Sequence, residues 1–107
     1  MDKAKDNNFF EKVLNLVEQI PPGKVCTYGI IAEKCGVKSG GRMVAWALNS
    51  QKNNNKYPCH RVVNRNGDLS GAGHFATPTQ MADLLRSEGV EVIESRVNLG
   101  KYLWAPE

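Results

Sequence analysis

Residues 28–48 read YGIIAEKCGVKSGGRMVAWAL, and this stretch contains two short helical patterns joined by a glycine-containing turn. The first pattern predicts a helix from Tyr28 to Lys34, which Gly36 ends because glycine readily takes the left-handed conformation that follows a helix. Gly40 and Gly41 open a second helix that continues to Leu48. A short helix, a turn and a second helix are the plan of a helix-turn-helix.

The chain before this motif predicts one longer helix and a short extended segment. The helix covers residues 7–19, with Asp6 or Asn7 as its cap, and the Pro21-Pro22-Gly23 turn ends it. Residues 24–27 follow as the extended piece. The helix is predicted from apolar residues that recur at helical spacing, namely Phe9, Phe10, Val13, Leu14, Val17 and Ile20.

The chain after the motif begins with loops and short strands. A polar loop over residues 50–56 leads to strands at 61–63 and 68–69, and Asn66-Gly67 between them is a hairpin-type turn signal. Residues 70–78 contain too much glycine for a regular element, so we predict a surface loop there.

One further helix and a final strand complete the predicted elements. The helix runs from Thr77 to Glu88 and Gly89 closes it, while residues 90–93 form the strand. In this helix and in the C-terminal tail, the residues that are expected to face the core are Met81, Leu84, Leu85, Tyr102, Leu103 and Trp104.

These patterns predict an α+β fold, mainly α: a winged-helix-like DNA-binding domain with a helix-turn-helix and a small β element. At 107 residues and 11.8 kDa the chain is long enough for one core, and we expect residues 1–107 to form a single domain. The net charge of +3 permits a polyanionic partner without requiring one.

The composition also argues against several other classes of protein. No apolar run approaches the roughly 20 residues of a membrane span, and the polar N-terminus does not resemble a signal peptide. We therefore expect a cytoplasmic protein without a membrane partner. The three cysteines form no CxxC pair, and with two histidines they offer no tetrahedral zinc set, so we expect neither a metal nor a cofactor.

The heptapeptide YPCHRVV at residues 57–63 is the most informative segment for function. Cysteine attacks only as the thiolate, and an unperturbed thiol is only a few per cent ionised at neutral pH. His60 beside Cys59 offers a base, and we expect the guanidinium of Arg61 to favour negative charge on the sulfur. Cys26 and Cys35 have apolar neighbours and no adjacent histidine, so they are interpreted as core residues.

Four segments resemble, in order and spacing, the C-terminal domain of the O6-alkylguanine-DNA alkyltransferases. They are IPPGKVCTYG at 20–29, RMVAWAL at 42–48, PCHRVV at 58–63 and LLRSEG at 84–89, and the resemblance spans about residues 8–93. The sequence has no counterpart of the N-terminal domain usual in that family. We therefore expect a stand-alone DNA-binding and active-site domain, acting as a monomer.

The resemblance implies a DNA repair activity. Proteins of this family bind duplex DNA through the helix-turn-helix, in the minor groove, and flip an O6-alkylguanine into a pocket. A base inside a duplex cannot be reached by an active site, so it must be extruded at a cost of a few kcal/mol. By resemblance Arg42 fills the vacated space and Tyr28 presses on the neighbouring phosphate, while Gly40, Gly41 and Ala45 let the helix approach the groove.

The resemblance also assigns the chemistry at the thiol. Cys59 would accept the alkyl group irreversibly, His60 would act as the base through a water, and Glu88 would orient His60, the three-part logic of an activated nucleophile. Gln51 falls where the family commonly has an asparagine, and is expected to donate an amide hydrogen bond to the site. The remaining expected pocket residues are Pro58, Arg61, Ser70 and Phe75, with His74 as an alternative wall.

Two departures from the family pattern keep alternatives open. The loop at 70–75 differs from the family's loop, and Met81 stands where a bracing lysine is expected. The first hypothesis is a single-turnover methylated-DNA-protein-cysteine S-methyltransferase. The second is a non-catalytic alkyltransferase-like sensor that binds O6-alkylguanine and signals to nucleotide excision repair. The third is a winged-helix module that binds DNA or a partner without damage recognition; a cysteine hydrolase is more remote.

Overall fold

The computed structural model describes residues 2–38, 40–51 and 56–106, and for residues 2–8 it describes the backbone only. The helices are α1 (Asp2–Glu18), α2 (Tyr28–Lys34), α3 (Gly41–Asn49), α4 (Gln80–Ser87) and α5 (Leu99–Tyr102). The strands are β1 (Cys26–Thr27) and β2 (Val62–Val63), and 3₁₀ turns span Cys59–Arg61 and Ala72–His74. The prediction of a mainly helical α+β domain with a small β element is confirmed.

The helix-turn-helix has the predicted boundaries because local chemistry defines them. Thr27 caps α2, and its Oγ1 accepts a hydrogen bond from the amide of Ile30 at 3.2 Å. Gly36 follows α2 with φ of +90°, the left-handed conformation expected after a helix. Helix α2 then packs against α3.

Gly40 has a role in the packing of the turn between α2 and α3. This role differs from the predicted one, which is to let the helix approach a DNA groove. A Cβ at this position would lie 2.7 Å from Cγ1 of Val37 and 3.2 Å from Cβ of Ala32. Any side chain at position 40 would therefore force Val37 and the turn between α2 and α3 to shift.

The first helix starts earlier than predicted. Helix α1 begins at Asp2, so Asp6 and Asn7 lie within it and do not precede it as a cap; their side chains fall outside the described residues. Most of the predicted polar loop, residues 52–55, also lies outside them.

The turn predicted at Asn66-Gly67 is present, with Gly67 at φ of +87° and its amide donating to the carbonyl oxygen of Asn64 at 2.9 Å. The prediction that the flanking segments form the two strands of a hairpin is wrong. Strand β2 pairs with β1 in parallel, with Cys26 opposite Val62 and Thr27 opposite Val63. Asp68 instead makes an isolated bridge with Arg96. The reason is burial: β1 and β2 are completely or almost completely inaccessible to solvent, and pairing them satisfies backbone groups inside the core.

Two other predicted boundaries differ from the structure. Helix α4 begins at Gln80, three residues after the predicted start at Thr77. Residues 90–93 form no paired strand, although Val90 and Val92 are buried and Glu91 and Ile93 are exposed. Among the described residues this segment forms only an isolated bridge, from Ile93 to Arg96.

The small sheet separates two hydrophobic cores. Cys26 and Val62 belong to the core formed with α1, α2 and α3, whereas Val25 and Val63 belong to the core formed with α4 and the C-terminal segment. Successive residues of an extended chain point to opposite faces, so Val62 and Val63 of β2, and Cys26 of β1 with Val25 directly before it, serve both cores. Cys59 packs on the first core and Phe75 on the second, which places the segments that carry them at the boundary.

Candidate functional site

A cavity of about 350 Å³ lies at this boundary, next to α3. This volume is within the range of small-ligand sites, which are concave and mostly apolar with a few polar groups. Cys59 is half-buried on its wall, so the thiol is accessible from the cavity. The lining residues are Tyr28, Gly41, Ala45, Leu48, Asn49, Cys59, Ser70, Gly71, His74 and Phe75.

The backbone around Cys59 fixes the position of the thiol. Pro58 has φ of −78°, and the chain then makes the 3₁₀ turn before it enters β2. The Cys59 thiol donates a hydrogen bond to the carbonyl oxygen of Leu48 on α3, with Sγ and O 3.8 Å apart. Burial raises the pKa of this thiol, and a backbone hydrogen bond lowers it by less. The thiol is therefore protonated at neutral pH in the free protein.

Arg61 does not stabilise a thiolate, and this expectation is wrong for a structural reason. Its Nε lies 3.0 Å and its Nη2 2.5 Å from the two carboxylate oxygens of Glu88. Its Nη1 donates to the carbonyl oxygen of Ile20 at 2.7 Å. The guanidinium thus joins three distant parts of the chain, and Arg61 is not among the residues that line the cavity.

His60 and Glu88 form a hydrogen-bonded pair beside the thiol-bearing turn. Nε2 of His60 and Oε2 of Glu88 are 3.0 Å apart, and the two side chains are 13% and 15% exposed. Burial would raise the pKa of Glu88, but hydrogen bonds from Arg61 and His60 outweigh it and lower this pKa to about 2. Burial lowers the pKa of His60, although Glu88 opposes the shift, so the imidazole is neutral at neutral pH.

A neutral His60 that donates from Nε2 to the Glu88 carboxylate keeps a lone pair on Nδ1. An imidazole oriented in this way by a carboxylate can accept a proton. The pair therefore has the composition and contact that the resemblance implies, with Glu88 also held by Arg61. Its role in any reaction stays a prediction.

Tyr28 and Ser70 form a polar part of the cavity wall. Burial raises the pKa of the Tyr28 hydroxyl, while a side-chain hydrogen bond with Ser70 lowers it and the nearby Cys59 raises it further. A Cβ at Gly71 would approach the Tyr28 hydroxyl to 3.0 Å. The segment that follows Leu69 thus lies directly against the start of α2.

Helix α3 presents one side to the cavity and another to solvent. Gly41 and Ala45 line the cavity, whereas Arg42 is exposed. Within the described part of the chain, Arg42 takes part in no ion pair. Its guanidinium is therefore available to a ligand that approaches this surface.

The residues that line the cavity differ in part from those predicted for the pocket. Gln51 and Pro58 do not line this cavity, and their assignment to a substrate pocket stays a prediction. Met81 is buried in the second core, as its predicted inward position requires. Asn49 presents an amide side chain to the cavity at the end of α3, two residues before Gln51. Leu48 was also missed. Helical spacing from the predicted Gly41 and Ala45 gives the signal for Asn49, because it follows Ala45 by four residues.

The described residues contain no group of three or more metal-ligating side chains placed to hold an ion. Likewise, none of the helices described here is long and apolar enough to cross a membrane.

Comparison with known proteins identifies related chains over most of this length. The family model described as "6-O-methylguanine DNA methyltransferase, DNA binding domain" matches residues 8–90. Alkyltransferase-like protein 1 of Schizosaccharomyces pombe is 36% identical, over 94% of this chain and 97% of its own. The DNA base-flipping protein of Vibrio parahaemolyticus is also 36% identical, over 94% of this chain and 99% of its own.

A solved structure supports the same relationship. The crystal structure of Schizosaccharomyces pombe Atl1 in complex with damaged DNA containing O6-carboxymethylguanine matches with a TM-score of 0.84. The match has 36% sequence identity and covers 94% of this chain and 97% of that chain. The predicted winged-helix-like fold class is thus confirmed by a whole-domain match.

Proposed function

The chain belongs to the 6-O-methylguanine DNA methyltransferase DNA-binding domain family, and from this premise we propose that it binds duplex DNA and receives an O6-alkylated guanine in the cavity beside Cys59. The observation that carries the proposal is the position of this cavity. It opens along α3, the second helix of the helix-turn-helix, where the exposed Arg42 makes no ion pair with the described residues and offers a cation to the DNA. Recognition of a damaged base is therefore the primary function proposed.

The walls of the cavity suit a flipped purine. Leu48, Ala45 and Phe75 provide apolar surface, and Asn49, Tyr28 and Ser70 provide hydrogen-bonding groups. A base extruded from the duplex loses its stacking and pairing, a cost of a few kcal/mol that the pocket and the space-filling residue must offset. An alkylated base pairs less well than guanine, so extruding it costs less and selection of damage follows.

The proposal is tested by comparing the affinities of the protein for a damaged and an undamaged duplex. Labelled duplexes with one O6-methylguanine or with guanine at the same position are titrated with protein, and anisotropy gives the two affinities. We expect about 10-fold or greater preference for the damaged duplex, the size of a difference of roughly 1.4 kcal/mol. Equal affinity for the two duplexes would contradict damage recognition.

A matched pair of variants tests whether the preference arises in this cavity. Ala45→Leu adds the same bulk as Ala76→Leu, but only Ala45 lines the cavity, while Ala76 is exposed next to Phe75. We expect Ala45→Leu to remove most of the preference for the damaged duplex and Ala76→Leu to retain it. Retention by both variants would place recognition elsewhere.

A second candidate function is alkyl transfer to Cys59, favoured by the free thiol on the cavity wall and the His60–Glu88 pair next to it. In that reaction the Cys59 thiol loses its proton, with His60 as the proposed base acting through a water, and the sulfur attacks the alkyl carbon. The carbon–O6 bond then breaks, its electron pair remains on the guanine, and a proton returns to the base, giving neutral guanine and a thioether. The raised pKa of Cys59 opposes the first step, which is why binding is placed first.

Mass spectrometry of a proteolytic digest decides between transfer and binding alone. After incubation with the O6-methylguanine duplex, transfer predicts one added methyl group on the peptide that contains Cys59, and none in the Cys59→Ser variant. Tight binding without this modification would mean that the protein acts as a sensor. The lesion would then have to be removed by other repair proteins, as our alternative hypothesis of signalling to nucleotide excision repair requires.

A further inference from the structure

Trp46 is the feature of α3 that the proposed function leaves unexplained. It is 60% exposed, and the only other large hydrophobic side chains exposed in the described residues are Ile93 and Leu103, outside α3. Single exposed hydrophobic residues are common on protein surfaces, so exposure alone would mean little. The exposure of Trp46 points to a function because Trp46 lies next to Arg42 on the surface of α3.

Arg42 and Trp46 lie one helical turn apart on the same side of α3. Residues four apart on a helix are neighbours on its surface, and both of these side chains are exposed. At 3.6 residues per turn, Gly41, Ala45 and Asn49 fall to one side of Arg42, and Trp46 falls to the other. Arg42 therefore separates the cavity from the indole.

Among the described residues, no core packing or cation–π contact holds the indole in this place. Trp46 does not belong to the residues packed against either core. The cation–π contacts seen in the described residues involve Tyr57 and Tyr102 and not Trp46. Lys34 and Lys38, in the first helix and the turn of the same motif, are exposed cations suited to a polyanion.

An opened duplex offers the surface that this side chain fits. When a nucleotide leaves the stack, the faces of the neighbouring bases and the adjoining sugars become accessible, and these are apolar. Aromatic side chains stack on bases of any sequence and contribute substantially to binding. Tryptophan combines a large apolar surface with few rotatable bonds, so little entropy is lost on contact.

We propose that Trp46 is a second DNA-contacting residue of α3, whose indole covers the exposed base or sugar next to the space that the flipped nucleotide vacates. This inference rests on the proposed function, because it requires DNA to lie along α3. Arg42 and Trp46 would then hold the opened duplex at two adjacent points, with the cavity on the far side of Arg42.

The first test uses anisotropy titration of both duplexes with Trp46→Ala, Trp46→Phe and Ile93→Ala. Trp46→Ala is expected to weaken binding of the damaged duplex by about 10-fold, within the range that stacking on one base allows. Trp46→Phe keeps an aromatic face and is expected to stay within about 2-fold of the unaltered protein. Ile93→Ala removes an equally exposed side chain, 62% accessible, and is expected to have no effect.

The second test observes the indole directly. The chain has two tryptophans, so in a Trp104→Phe variant all tryptophan emission comes from Trp46. Addition of the damaged duplex is expected to quench this emission as the anisotropy rises. Should Trp104→Phe not fold, the anisotropy series above decides alone.

The two proposals fail in different ways. Equal affinity of the unaltered protein for damaged and undamaged duplexes overturns damage recognition, whatever Trp46 does. Unchanged affinity of Trp46→Ala for both duplexes overturns the contact of Trp46 with DNA even when damage is recognised. That second result would place the indole outside the DNA interface.

Discussion

Glu88→Gln is expected to lower the free energy of unfolding by about 3 kcal/mol at neutral pH, because it leaves a largely buried guanidinium without its counter-charge. Arg61 donates to both carboxylate oxygens of Glu88 and is only 14% exposed. A neutral amide presents one oxygen where the carboxylate presents two, so hydrogen bonds to Arg61 and His60 cannot all be kept. Chemical denaturation followed by circular dichroism measures the change.

Arg96→Gln is the matched control for this prediction. The Arg96–Asp68 pair has a similar contact distance of 2.8 Å, but its side chains are 62% and 36% exposed. Exposed ion pairs contribute little to stability, so the control is expected to change the denaturation midpoint far less than Glu88→Gln. Equal effects of the two variants would mean that the Glu88 contacts do not hold the fold together.

The contribution of Glu88 should also depend on pH in a defined direction. The pKa of Glu88 is lowered from 4.5 to about 2, so the ionised carboxylate stabilises the folded state above pH 4.5. This stabilisation is lost as the pH falls from 4.5 towards 2. Protonation of His60, whose pKa is lowered by burial, adds to the loss on the acid side. The stability difference between the unaltered protein and Glu88→Gln should therefore shrink with acidification; a constant difference would contradict the assignment.

Arg42→Ala is expected to weaken binding of the O6-methylguanine duplex by about 10- to 100-fold, since a side chain that fills the vacated space offsets an extrusion cost of a few kcal/mol. Arg42 is exposed on α3 next to the residues that line the cavity. Binding of the undamaged duplex should fall much less, because it requires no flipped base. The quantity to measure is the ratio of the affinities for the damaged and the undamaged duplex, obtained by anisotropy titration.

Arg65→Ala separates this effect from simple loss of positive charge. Arg65 is an exposed arginine in the turn that follows β2, so its removal lowers the net charge equally. Phosphate contacts are independent of sequence and damage, and their loss would weaken both duplexes by a similar factor. An Arg42→Ala variant that behaves like Arg65→Ala would show that Arg42 serves only as a surface charge.

The chain's local signals were sufficient for the helix-turn-helix. Thr27 at the cap, Gly36 after α2 and the apolar residues facing the core define α2 and α3 within a residue of their predicted ends. Each of these signals acts between residues that are close in sequence, so a linear reading contains them.

Contacts between distant residues were the part that only the tertiary structure decided. The sequence by itself determined the helix-turn-helix, the mainly helical class and the Cys59-His60 motif, because propensity, capping and spacing are local properties. The parallel pairing of β1 with β2, the fork of Arg61 on Glu88 and Ile20, and the place of Asn49 in the cavity arise from packing. Packing also removed the expected effect of Arg61, whose guanidinium is paired with Glu88 and is not among the groups that shift the pKa of Cys59. Which charges meet depends on which segments share a core, and no single segment specifies that.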